Sequence, residues 1–127
     1  MKIKIALFLF FAGITLFYSQ EKVYLDANWK ITDQSNAAYY RISEASKVTD
    51  YYLSGQKAQV LYYANGKPEG KYYFYFSTGE LKTIGMYENG MKEGVWKTYN
   101  KSGKIKEKGK YSNGEKVGIW KTFYKNI

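Results

Sequence analysis

At 127 residues, with 45% hydrophobic and 20% aromatic residues, the chain has room for one small domain with a thin core. It contains no Cys and no His, which excludes disulfides, the usual zinc sites, His-activated nucleophiles and lipid anchoring through Cys. The formal charge of +9 is uneven: residues 20–62 carry five basic and five acidic side chains, whereas residues 63–127 carry thirteen and six.

Residues 1–19 read as a cleavable signal peptide. Lys2 and Lys4 form a basic start, the thirteen residues Ile5 to Phe17 are uncharged and apolar, and Tyr18-Ser19-Gln20-Glu21 returns to polar character. A membrane-spanning helix needs roughly 20 apolar residues, so no stable transmembrane segment is expected once cleavage near Ser19 has occurred. The mature chain would carry +7 and reside in the periplasm, at the cell surface or outside the cell.

Residues 20–50 form a lead-in segment. Its aromatic clusters Tyr24-Leu25-Asp26-Ala27-Asn28-Trp29 and Tyr39-Tyr40-Arg41-Ile42 predict one or two strands capping an array that follows, because repeat arrays need a terminal cap. Trp29 and Tyr40 are the expected anchors.

The array itself occupies residues 51–127. Tyr63-Ala64-Asn65-Gly66 returns as Tyr87-Glu88-Asn89-Gly90 and as Tyr111-Ser112-Asn113-Gly114, a period of 24 residues without insertion. Units fall near 63–86, 87–110 and 111–127. A degenerate copy begins at Tyr51, where Tyr51-Tyr52-Leu53-Ser54-Gly55-Gln56 aligns with Tyr75-Phe76-Ser77-Thr78-Gly79-Glu80.

With 15 Tyr and 12 Gly, each unit alternates short aromatic runs with an Asn-Gly turn and a Ser-Gly or Thr-Gly turn. That is how successive β-hairpins are written. Strands are expected at about 50–54, 58–64, 71–76, 81–88, 95–100, 105–112 and 119–124.

Period-2 alternation places Lys104, Lys106, Lys108 and Lys110 on one face, with Ile105, Glu107, Gly109 and Tyr111 on the other. Gly85 and Gly109 leave gaps on this second face. A ring from a neighbouring strand, Trp96 or Trp120, is expected to lie over each gap.

The pattern Tyr-x-Asn-Gly-x-x-x-Gly-x-Trp-x-x-Tyr, at Tyr87 to Tyr99 and again from Tyr111 with Phe123 in last place, resembles the MORN-repeat variant of bacterial YwqK-like proteins. The resemblance implies an all-β fold: an elongated, single-layer antiparallel meander of hairpins. The antitoxin role often attached to that group implies a cytoplasmic protein, which the signal peptide opposes. Asn65, Asn89 and Asn113 replace the glycine that follows the first Tyr in other MORN units, so lipid binding by eukaryotic members transfers poorly.

Carboxylates are the strongest acid-base candidates left. Glu69, Glu93 and Glu115 recur in or beside turns, which predicts solvated turn positions rather than an active site. No phosphate loop is present despite four Gly-Lys pairs, and Asn100-Lys101-Ser102 reads as turn chemistry. The expectation is a non-enzyme without cofactor or metal.

Nucleic acid is not expected, because the repeats contain no Arg and the chain is predicted to be exported. The leading expectation is an interaction module whose partner is a protein or an anionic envelope component. Candidate contact residues are Lys104, Lys106, Lys108, Lys110, Trp96 and Trp120. A structural spacer is the alternative, as is an antitoxin-like partner protein if the chain is not exported. The lysines have a second reading as guards against sheet-edge pairing, and the aromatic face a second reading as a sugar platform.

Overall fold

The computed structural model describes the backbone of residues 3–10 and 13–123, with side chains from Gln20 onward. Strands β1 (Ile3–Phe10) and β2 (Gly13–Gln20) pair as a two-stranded antiparallel sheet within the stretch read as a signal peptide. The remaining described strands form one open, nine-stranded antiparallel meander.

Its strands are β3 (Val23–Leu25), β4 (Tyr39–Ser43), β5 (Lys47–Tyr52), β6 (Lys57–Ala64), β7 (Lys67–Tyr75), β8 (Leu81–Glu88), β9 (Met91–Tyr99), β10 (Ile105–Ser112) and β11 (Glu115–Thr122). They lie side by side in chain order, with β3 and β11 at the edges. Among the described residues the one helical element is a 3-10 turn at Gln34–Asn36. The all-β, single-layer meander expected from the sequence is therefore the fold.

Local chemistry accounts for the hairpins. Asn89 and Gly90 both have positive φ, 50° and 82°, and join Glu88 to Met91. This is a two-residue type I′ turn, whose twist matches that of the strands. Asn65-Gly66 and Asn113-Gly114 repeat it. The alternate turns are three-residue loops: Gly79 N–H donates to Phe76 O, and Phe76 N–H donates to Glu80 O. Tyr52, Gly55 and Gln56 form the same pair of bonds, so the worn copy at Tyr51 keeps the turn geometry of the clear units.

Strands β7, β9 and β11 begin four residues earlier than expected. Gly70, Gly94 and Gly118, which directly precede the expected starts, are bulge residues inside the strands. Ile84 pairs with Lys97 and Met86 with Glu93, so Gly85 alone faces Gly94, Val95 and Trp96. Gly94 takes a φ of 71° there, a region that penalises a Cβ.

Among the described residues buried side chains are few: Leu25, Ala58, Val60 and Trp96 among apolar residues, Thr49 and Asp50 among polar ones. The lead-in contributes β3 and β4 to one end of the sheet. Trp29 stacks on Tyr39 at 4.0 Å and meets Phe74 edge-on at 6.1 Å, while Tyr40 stacks on Tyr51 at 5.0 Å.

Candidate interaction surfaces

Alternation along the strands gives the sheet two chemically distinct faces. On one, two columns of rings run across the repeats: Tyr72, Trp96 and Trp120 in the first, Tyr87 and Tyr111 in the second. Neighbours interlock, with Tyr72–Trp96, Tyr87–Trp96 and Trp96–Tyr111 centroids 5.4, 5.4 and 5.7 Å apart and Tyr111–Trp120 at 5.0 Å. Most of these contacts are edge-to-face, the arrangement the ring quadrupole favours.

The expectation that a ring covers each strand glycine is met, and the structure supplies the pairing. Trp96 covers Gly85 and Trp120 covers Gly109, each ring coming from the following strand. Lys92 lies over Trp96 and Tyr111, 4.7 and 5.0 Å from the centroids, and Lys116 lies 4.4 Å from that of Trp120. Trp96, Tyr111 and Trp120 thus each already have a cation over the ring. A cleft of about 350 Å³ remains along this face, bordered by Thr83, Thr98, Glu107, Tyr111 and Trp120.

Burial shapes the phenols of this face. The hydroxyl of Tyr72 is pushed well above the usual phenol range by loss of solvent, as is that of Tyr87 to a lesser degree. Tyr72 is also the end of a polar network that sequence reading missed. Arg41 holds the fully buried Asp50 through two bonds of 2.7 and 2.9 Å, Gln59 donates to Asp50 at 2.7 Å, and Tyr72 donates to Gln59 at 2.8 Å. Four adjacent strands, β4 to β7, are tied together by it. The one Arg in the chain, nine residues from an Asp across a hairpin, was the available signal.

The turn carboxylates also have a more specific role than solvation. Glu69 Oε2 accepts from Asn89 N–H at 2.6 Å, and Glu93 Oε2 accepts from Asn113 N–H at 2.9 Å. Beside them Gly90 N–H donates to Pro68 O and Gly114 N–H to Lys92 O, both at 2.9 Å. The Asn89-Gly90 and Asn113-Gly114 turns are therefore each pinned to the unit before them. Glu115 is not their counterpart; Val117 holds that place in the third unit. Asn100 Oδ1 accepts from the N–H groups of Ser102 and Lys104, so the Asn100-Lys101-Ser102 segment is turn chemistry, as read.

The opposite face carries the lysines. Lys106, Lys108 and Lys110 are exposed along β10, with Lys104 in the turn before it. Lys97 of β9 and Lys121 of β11 join them, each directly paired with Lys108. Among the described residues the ion pairs are Arg41–Asp50 and Glu44–Lys47, so none of these lysines is in one. Val95, Val117 and Ile119 lie among them, 41%, 41% and 85% exposed.

The six residues singled out from sequence thus divide. All four lysines are exposed, and Lys108 and Lys110 share the face of Lys97 and Lys121; a register shift between Ile105 and Glu107 breaks the expected alternation below them, and Ile105 pairs with Tyr99 of the lysine face rather than facing the rings. Trp96 and Trp120 stand on the other side of the sheet, and Trp96 is only 5% exposed, so its ring serves packing. The edge-guard reading of the lysines does not fit their position, because β10 is interior, paired on both sides by β9 and β11.

Among the described residues no group of His, Cys, Asp or Glu is placed to hold a metal ion, and no helix is long and apolar enough to cross a membrane. No curated protein matches this sequence. The family model of the MORN repeat variant does match, at residues 68–89 and 92–113, with the 24-residue step read from the sequence. The two matched segments span strands β7 to β10 of the nine-stranded meander.

Proposed function

We propose that this protein is an exported, non-catalytic interaction module whose lysine-bearing face engages an anionic envelope component or a protein with an acidic surface. One observation carries the reading. The aromatic face spends its rings on one another and on its own lysines, while Lys104, Lys106, Lys108 and Lys110 are exposed and outside any ion pair. MORN repeats are in general protein- and membrane-interaction modules, which agrees with such a use. Export is supported by the order of basic, apolar and polar residues across positions 1–19.

The test is a pull-down from envelope fractions beside a variant with all four lysines changed to Gln. A specific partner recovered by the natural chain and lost by the variant supports the reading. Equal recovery by both would favour a spacer role or a contact through the aromatic face. Export is checked separately, by finding the mature N-terminus near Gln20 outside the cytoplasm; an intact cytoplasmic chain would favour an antitoxin-like partner protein.

A further inference from the structure

Across the lysine face, three strands bring one lysine each into the same row. Lys108 of β10 pairs in register with Lys97 of β9 on one side and with Lys121 of β11 on the other. Directly opposed side chains share a face and approach closely, so like charges there are destabilising. Nothing in the row relieves them: none of the three is in an ion pair, and Glu93, which borders the row, already accepts a hydrogen bond from Asn113 N–H. Elsewhere in the same register the sheet places apolar residues, with Ile84 opposite both Lys97 and Tyr73. The row is therefore apolar through the earlier repeats and turns cationic only over the last three strands.

We propose that this row is a docking track for a linear acidic polysaccharide, running across the strands with one carboxylate at each lysine. The inference rests on the reading of the lysine face as the working surface and names its partner. Hydrogen-bonded strands are spaced about 4.8 Å apart, close to the rise of one sugar ring along such a chain, so carboxylates recurring along the polymer come within reach of the three long, flexible lysine side chains. Lipid headgroups have no fixed spacing and gain nothing from this register. Val95 and Ile119, exposed beside the row, offer apolar surface to the C–H faces of the rings.

The experiment is calorimetric titration of the full chain with short polygalacturonate oligomers, and with their methyl esters as the uncharged control. Three proteins are compared: the natural chain, a Lys97→Gln/Lys108→Gln/Lys121→Gln variant, and a control of equal charge with Lys30, Lys57 and Lys101 changed to Gln. The expected result is binding of the acid form only, weakened at least about tenfold in the row variant and about twofold in the control, with affinity falling as salt rises.

The row variant is also expected to melt no lower than the natural chain, because a repulsive row has been removed. Equal losses in both variants, equal binding of the methyl ester, or binding of anionic vesicles or duplex DNA without binding of the oligomers would overturn the proposal. Failure here with success of the envelope pull-down removes the polysaccharide and leaves the lysine face; failure of both removes the face as well.

Discussion

The indole of Trp96 lies so close over Gly85 that a Cβ on that glycine would stand 2.2 Å from two ring carbons. Trp120 repeats the contact over Gly109 at 2.1 Å. Ring and gap are two halves of one packing unit, placed by the bulge that sets Gly94, Val95 and Trp96 opposite Gly85. Gly85→Ala should then destabilise the sheet by about 1–3 kcal/mol through overpacking, and Trp96→Ala by about 3–5 kcal/mol. Pairing Gly109→Ala with Trp120→Leu should lose less than the sum of the two single changes, which urea unfolding of all variants would show.

Asp50 is fully buried and its Arg41 partner is 30% exposed at the side chain. Asp50→Ala strands a partly buried guanidinium and frees Gln59 as well, so a loss of about 3 kcal/mol is expected, at the low end for a broken buried pair because Arg41 keeps some access to water. Arg41→Lys should recover only part of the stability, since an ammonium group cannot make the two parallel bonds. Thermal melts of both variants check this.

Removal of Glu93 should unpin one turn. Its bond to Asn113 N–H is charge-assisted but exposed, so Glu93→Gln is expected to destabilise by about 0.5–1 kcal/mol. Asn113→Ala, at a φ of 47°, should cost about 1–2 kcal/mol for the left-handed conformation alone. Hydrogen exchange at Gly114 N–H, which donates to Lys92 O, should quicken in both.

Alkaline pH should weaken the fold. Burial raises the phenols of Tyr52, Tyr72, Tyr75 and Tyr87 above their ordinary value. The unfolded chain therefore gives up these protons first, and stability, fully present below about pH 10, falls as pH climbs past it. Melting temperatures between neutral and strongly alkaline pH should drop steeply, and Tyr72→Phe should flatten the slope.

How much of this was legible depended on whether the signal was local. The Asn-Gly turns, the 24-residue step and the covering of Gly85 and Gly109 follow from residues whose conformational needs are written into their side chains. The early starts of β7, β9 and β11 were not legible, because a glycine that ends a strand and one that bulges it look alike until the pairing is known. The Asp50 network and the Glu69 and Glu93 contacts depend on which strands and turns become neighbours. The lysine stripe of β10 was legible, but its extension to Lys97 and Lys121 needed the register.

The central claim is a division of labour, in which the aromatic face holds the fold and the lysine face is free to bind. It is tested most directly by the melting temperature of the variant with Lys104, Lys106, Lys108 and Lys110 changed to Gln, measured beside Trp96→Ala. An unchanged or slightly higher midpoint for the lysine variant, with a drop of at least about 10 °C for Trp96→Ala, is the predicted result. A lysine variant that melts as low as Trp96→Ala would contradict it.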